Sequence, residues 1–362
     1  MERVSGQYKS VEQHPINWPM DIADSVLVVN GISGTGKTMM GPLLGSLDRV
    51  ESVVFDHLYE YLCNLYNLGK LDTDVVHYLM GMYADMDMYK SFIGRDKNFR
   101  VKDLSGVFVN PKTLTNIGRL FSKDGVAAYH RIKASKPILQ LHMHQVLPDI
   151  KVLLGAFQER VRIIEMVRHP LYLIDHWKAC VDIYGRDPRD FTILIDHKDH
   201  KIPWFAADWK DRYVESNATE KAIYSIEFLY GRGVDVYERL PKEQQKRFLW
   251  IPFEAIVTQT DVWLDQICEF VDTSRTRHTK PVLKKQHLPR KLLNDGPRKK
   301  IYQRYGWKSS DVKSSEEFMR TKLAGIKKEV NPEAYQTLLK LSEDYANRFQ
   351  EFIDEPLTLT SN

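Results

Sequence analysis

The residues best placed to do chemistry lie close to the N-terminus, in Gly31-Ile32-Ser33-Gly34-Thr35-Gly36-Lys37-Thr38. They satisfy the pattern G-x-x-x-x-G-K-[S/T], in which glycines let the backbone curl so that its N–H groups point inward and the lysine neutralises anionic oxygens. The preceding run Ser25–Asn30, SVLVVN, has the Val-rich composition of a buried parallel strand, and a helix is expected from Lys37. A strand feeding a helix N-terminus through such a loop is an anion cradle. Gly31, Ser33, Gly34, Thr35, Gly36, Lys37 and Thr38 are therefore expected to hold phosphate-type groups of a nucleotide, while the loop leaves open which group is transferred.

Other polar constellations are weaker. Asp196-His197-Lys198-Asp199-His200 could offer metal ligands, but its histidines sit in a polar turn between two short strand-like runs, and a plain hairpin is the expectation. Trp204 and Phe205 follow it, either packing in the core or forming a substrate lid. The three cysteines, Cys63, Cys180 and Cys268, are far apart and form no CxxC pair, so neither a disulfide framework nor a zinc site is indicated.

The elements that must position the loop follow from the patterning. Ser52–Asp56 (SVVFD), Pro137–His142 (PILQLH), Arg162–Val167 (RIIEMV) and Phe248–Phe253 (FLWIPF) have strand length and composition, with the middle two expected as neighbours in one sheet. Gly41-Pro42 should shorten or kink the first helix. Between His57 and about residue 135 a helical insertion is expected, its Met and aromatic stripe forming core. After Arg168-His169-Pro170, apolar residues at Leu171, Ile174, Trp177, Val181 and Tyr184 predict an amphipathic helix with proline in its first turn. Two helices should close the chain, Ser315–Val330 and, capped by Asn331, Glu333–Ile353. The fold class expected is a P-loop three-layer α/β/α with a mainly parallel sheet. The expected divisions are an extension over 1–24, the α/β domain over 25–272, a basic segment over 273–310 and a helical pair over 311–362.

The 362 residues, 43% apolar and 28% charged, have the balance of a folded globular enzyme rather than a disordered chain. No signal-like or membrane-length apolar run occurs, so a cytoplasmic protein without membrane association is expected. The net charge of +4 conceals a concentration of twelve Lys or Arg between Ser274 and Ser309 against one acid, Asp295. That tract, with Tyr302, Tyr305 and Trp307, permits contact with anions, but no nucleic-acid-binding module surrounds it, so nucleic acid is not an expected partner. The acceptor and the oligomeric state leave no signature.

Three stretches resemble the sulfotransferase family, in the family's order. RIIEMVRHPLYLID, Arg162–Asp175, is similar to its strand-to-helix signature, which implies that Arg168 binds the 3′-phosphate of 3′-phosphoadenosine 5′-phosphosulfate (PAPS). ILQLHMHQVLP, Ile138–Pro148, resembles the segment carrying the catalytic base, which puts His142 in that role, with His144 two residues on. Phe248–Val271 looks like the family's late strand and helix, a marker of fold without chemistry. His176 stands where the family has a phosphate-binding serine. Lys37 is also a departure, since the family usually has Ser or Thr there and a cation where this loop has Gly34. The resemblance implies sulfuryl transfer to a hydroxyl or amine without a metal, with Lys37 steadying the sulfuryl group. The alternative is a small-molecule kinase using ATP and Mg, because the loop plus Ser52–Asp56 resembles shikimate- and gluconate-type kinases, with Asp56 as base or Mg partner. Against that, the two central strands end in His142 and Arg168 where a kinase wants a carboxylate.

Overall fold

The computed structural model describes residues 15–19, 22–53, 56–95, 97–101, 106–188, 190–291, 293 and 315–354. Four strands form the central sheet: β1 (Val26–Asn30), β2 (Leu139–His142), β3 (Val161–Val167) and β6 (Phe248–Pro252). All are parallel, in the order β2-β1-β3-β6. The expected strands at Pro137–His142 and Arg162–Val167 thus share one sheet but are not neighbours, because β1 runs between them. β1 consequently has a strand on each side, and the loop that follows it faces the ends of both.

Alternation along the strands divides the core into two layers. Val26 and Val28, with Leu139, Leu141, Val161 and Ile163, pack on one side against α2 (Leu58–Asn67), α3 (Thr73–Phe92) and α6 (Ile150–Phe157). Leu27 and Val29, with Ile164, Met166 and Ile251, pack on the other against α1 (Lys37–Gly45) and α7 (Pro170–Ile183). This is the expected α/β/α sandwich. The insertion supplies α2 and α3, then α4 (Thr113–Arg119) and α5 (Gly125–Ser135), and its Tyr59, Met80 and Met88 are buried core, as the Met and aromatic stripe predicts.

The strand expected at Ser52–Asp56 does not form over 51–53, and Val54 and Phe55 lie outside the described residues. A single parallel bridge, Val50 to Ile138, is all that extends the sheet at this edge. Beside this edge the Lys112 ammonium donates to the carbonyls of Leu47 at 2.6 Å and Val50 at 2.8 Å, and Glu51 is turned to Arg119, whose Nη2 donates to Oε1 at 2.7 Å. Pro42 does keep α1 short, at nine residues.

The remaining chain wraps the second face. β4 (Leu194–His197) and β5 (His200–Pro203) make the expected antiparallel hairpin, in which His197 pairs with Asp211 at 2.9 Å. Trp204 and Phe205 are buried beyond it. A π-helical turn, Glu227–Gly231, follows Ala218–Ile226. The C-terminal helices Ser315–Lys327 and Pro332–Phe349 share the core with the sheet, and Asn331 caps the second by accepting from Ala334 N at 2.9 Å. Among the described residues no helix is long and apolar enough to cross a membrane. Gly296-Pro297-Arg298-Lys299-Lys300 and the aromatic residues Tyr302, Tyr305 and Trp307 lie outside the described residues.

Candidate active site

The loop of Gly31–Thr38 sits where β1 ends and α1 begins, and its shape depends on glycines that no other residue could replace. Gly31, at φ 139°, would place a Cβ 2.3 Å from the Met166 carbonyl oxygen of β3, and Gly36, at φ 97°, would place one 2.4 Å from Phe253 Cδ2. Side chains lock the curl. Thr35 Oγ1 donates to the Ile32 carbonyl at 2.9 Å, and Trp177 Nε1, on α7, donates to the Ser33 carbonyl at 3.0 Å. Ser33 Oγ lies 2.7 Å from His176 Nε2.

Lys37 is almost fully buried and folds back over its own loop, donating to the carbonyls of Gly31 and, at 2.9 Å, Ile32. Burial, partly offset by the carboxylates of Glu60 and Glu165, brings its ammonium down to about 8. An ammonium held in this way is poised for an anion that would repay its desolvation.

Arg168 follows β3 directly, two residues ahead of the proline that opens α7. Its Nη1 donates to the Gly34 carbonyl at 3.2 Å, and its guanidinium lies over the Phe253 ring at 4.3 Å and the Tyr172 ring at 5.2 Å. Its Nε is buried without a hydrogen-bond partner among the described residues. A second guanidinium, Arg290, lies over the same Phe253 ring at 5.5 Å and reaches Met39 Sδ on α1 at 3.9 Å. Sequence reading located the basic segment but could not single out Arg290, and it took Phe253-Glu254 as a marker of fold. In fact Phe253 carries both guanidiniums. Glu254 is buried and accepts from His169 N at 3.1 Å and Tyr345 Oη–H at 2.7 Å, which fixes the chain at the start of α7.

The two histidines at the end of β2 diverge. His142 is 3% exposed, with Nε2 2.9 Å from Gln140 Nε2 and its ring against Gly41 of α1. Burial, reinforced by His144 and Lys37, holds its imidazole down to about 3. His144, past the strand, has 38% of its side chain open to solvent. Its backbone N–H donates to Glu60 Oε1 at 2.7 Å, and its Nδ1 lies 2.8 Å from the same oxygen. The other oxygen of Glu60 is 3.3 Å from His57 Nδ1. Burial would raise the Glu60 carboxyl, but the two imidazoles outweigh it and hold it at about 2. Neither Glu60 nor His57 was singled out from sequence, and their i, i+3 spacing at the start of a helix was the available signal.

No protein-family model and no curated protein matches this chain. Among solved structures it is similar to a sulfotransferase from Mycobacterium avium, at 13% identity over 94% of this chain and 79% of that one, with a TM-score of 0.41. It is also similar to the sulfotransferase domain of the Synechococcus PCC 7002 olefin synthase, at 12% identity over 91% of this chain and 98% of that one, TM-score 0.41. A third similarity is to the sulfotransferase domain from the curacin biosynthetic pathway, at 13% identity over 70% of this chain and 76% of that one, TM-score 0.35. The roles of individual residues rest on the geometry of this chain.

In that geometry Lys37, Arg168 and His176 each bond the loop itself. Asn30, Thr35, Glu165, Arg168 and Tyr230 line a narrow cavity beneath the loop. There Asn30 Nδ2 donates to Glu165 Oε2 at 2.7 Å, and burial, against the pull of Asn30 and Lys37, pushes the Glu165 carboxyl up to about 8. Glu165 is thus mostly protonated at neutral pH. Asp56 is exposed and accepts from the N–H of Leu58, the first residue of α2, at 2.8 Å.

Proposed function

We propose that the protein is a sulfotransferase that uses PAPS as donor and a hydroxyl or amine as acceptor. One observation carries this reading: Lys37 and Arg168 come from the ends of adjacent strands and bond carbonyls of the same loop, Gly31 and Ile32 for one and Gly34 for the other. Two fixed cations around a single cradle suit a donor that is anionic at both its 5′ and 3′ positions. The positive-φ glycines let the loop curl, and the Nε of Arg168, without a hydrogen-bond partner among the described residues, is a donor available to such a group. When bound, the donor supplies an activated sulfuryl group whose bridging S–O bond breaks, releasing 3′-phosphoadenosine 5′-phosphate, as the acceptor's oxygen or nitrogen bonds to sulfur and gives up its proton.

On this reading the loop N–H groups and Lys37 hold the 5′-phosphosulfate, with Thr38 at the helix start. Arg168, the Ser33–His176 pair and Arg290 hold the 3′-phosphate. The base is His144 rather than the enclosed His142. With Glu60 accepting from Nδ1–H, the imidazole is fixed with its lone pair on Nε2, free to take the acceptor's proton, and the anionic Glu60 stabilises the imidazolium that results. His142 packs behind α1 and acts on the position of the loop. Nothing among the described residues favours the kinase alternative, and Asp56 already accepts from Leu58 N.

The test is thermal unfolding with 3′-phosphoadenosine 5′-phosphate and, separately, with ATP plus Mg. At a hundred times its dissociation constant a ligand stabilises by about 2.7 kcal/mol. Stabilisation by the bisphosphate, abolished in Arg168→Ala with the fold intact, is the expected result; stabilisation by ATP with Mg alone would overturn the donor. His144→Asn should lower transfer by about 10²- to 10⁴-fold without changing the bisphosphate shift. Full activity in His144→Asn would remove it as base.

A further inference from the structure

His57, Glu60 and His144 form a second constellation, close enough to the loop for the charge of Glu60 to act on Lys37. His57 and Glu60 lie one turn apart at the start of α2, and His144 reaches them from the turn after β2. One ligand atom from each, two imidazole nitrogens and a carboxylate oxygen, all lie within 4.8 Å of one another. Glu60 is buried between the two rings, one oxygen toward each, while the side chains of His57 and His144 are 53% and 38% exposed. Two imidazoles and one carboxylate with an open side match the donor set of three-ligand zinc sites that leave a fourth position to solvent.

We propose that His57, Glu60 and His144 bind one divalent transition-metal ion, zinc foremost, and that the bound ion switches off the base. The donor set favours a borderline ion over Mg or Ca, which prefer all-oxygen shells. Bonds of about 2.0–2.2 Å at tetrahedral angles hold ligand atoms about 3.3–3.6 Å from one another, so the His144 Nδ1–Glu60 Oε1 pair, now 2.8 Å, opens slightly while wider pairs of the set close in, small movements for two partly exposed rings. The second half rests on the sulfuryl-transfer reading above. A neutral imidazole carries one proton and one lone pair. While Nδ1–H of His144 faces Glu60, the lone pair is on Nε2; once the metal takes the lone pair of Nδ1, the proton must sit on Nε2, and the ring can no longer accept one. Metal occupancy and base function therefore exclude each other through a tautomer change, with no proton gained or lost by the ring.

The experiment titrates the metal-free full chain with Co²⁺, reading visible ligand-field absorption and calorimetric stoichiometry without substrate. One equivalent should bind, Zn²⁺ should displace it, and His57→Ala should weaken binding by at least about 10-fold. His57→Gln serves as a second variant, with thermal melting of each confirming the fold. No ligand-field bands, or an affinity unchanged in folded His57 variants, would overturn the site whatever the enzyme's activity. In the transfer assay Zn²⁺ should inhibit the wild-type chain, and His57→Ala, with each protein's rate normalised to its own metal-free value, should need at least about 10-fold more Zn²⁺ for the same fractional inhibition. Equal inhibition of both would overturn the switch and leave the cobalt result standing. Absence of transfer under every condition would count against the sulfotransferase reading and leave the metal site to be decided by cobalt alone.

Discussion

Lys37 offers the most direct test of how the anion cradle is built. Its ammonium ordinarily titrates near 10.5 and is brought to about 8 by burial in the folded chain. Between those values the unfolded chain binds the proton more tightly than the folded one, so stability must rise with pH through this window. The difference of about 2.5 units at 1.36 kcal/mol each amounts to about 3 kcal/mol, all of it a cost below pH 8 and all of it relieved by about pH 10.5. Lys37→Met removes the titration. At pH 7 the variant also loses two charge-assisted hydrogen bonds, to Gly31 and Ile32, each worth about 1.5–3 kcal/mol, so the net change there should be small. The slope is therefore the diagnostic. Urea unfolding of both chains from pH 7 to pH 10.5, without nucleotide, should show the wild type gaining about 3 kcal/mol relative to Lys37→Met as pH rises. With 3′-phosphoadenosine 5′-phosphate bound, the anion favours the charged amine and the slope should flatten. Parallel curves for the two proteins in the absence of nucleotide would refute the claim that the loop holds a desolvated cation.

Gly36→Ala sets a Cβ 2.4 Å from Phe253 Cδ2 at φ 97°, and the strained backbone alone costs about 1–3 kcal/mol. The variant should melt several degrees lower and respond weakly to the bisphosphate, because the displaced ring carries Arg168; a wild-type melting curve and response would count against the cradle described. Glu165, raised from 4.5 to about 8, contributes stability that is complete below pH 4.5 and is lost as pH rises through about 8. Glu165→Gln, which cannot ionise, should therefore gain on the wild type by about 1.4 kcal/mol per unit between pH 5 and pH 8 in denaturant unfolding, and a constant difference would mean that Glu165 is ionised in the fold.

What could be read from sequence was local. The loop glycines, the strand before them, Pro170 opening α7 and Asn331 capping the last helix all act through near neighbours, and each stands where its pattern predicts. The order of the strands did not follow, because pairing is settled by which faces two helical layers can cover, and nothing in PILQLH or RIIEMV records that VLVVN lies between them. SVVFD carried a strand signal, but Ser52 is turned to Asn110 and the residues just before it are held by Lys112 and Arg119, partners more than fifty positions away that no local pattern records. His142 and His144 were indistinguishable as letters, and Glu60 separates them from 84 positions upstream. Phe253 looked like packing until its ring was found beneath two guanidiniums, a relation carried by no local motif.

Glu254 draws the far end of the chain into this account. Its carboxylate ties the backbone beside Arg168 to the hydroxyl of Tyr345 on the final helix. The hydroxyl that steadies the arginine beside the loop therefore comes from a residue more than 300 positions along the chain from the glycines themselves. The crevice is a long-range assembly, and a fragment that carried the glycine loop without Tyr345 would display the signature without the contacts that hold Arg168 in place.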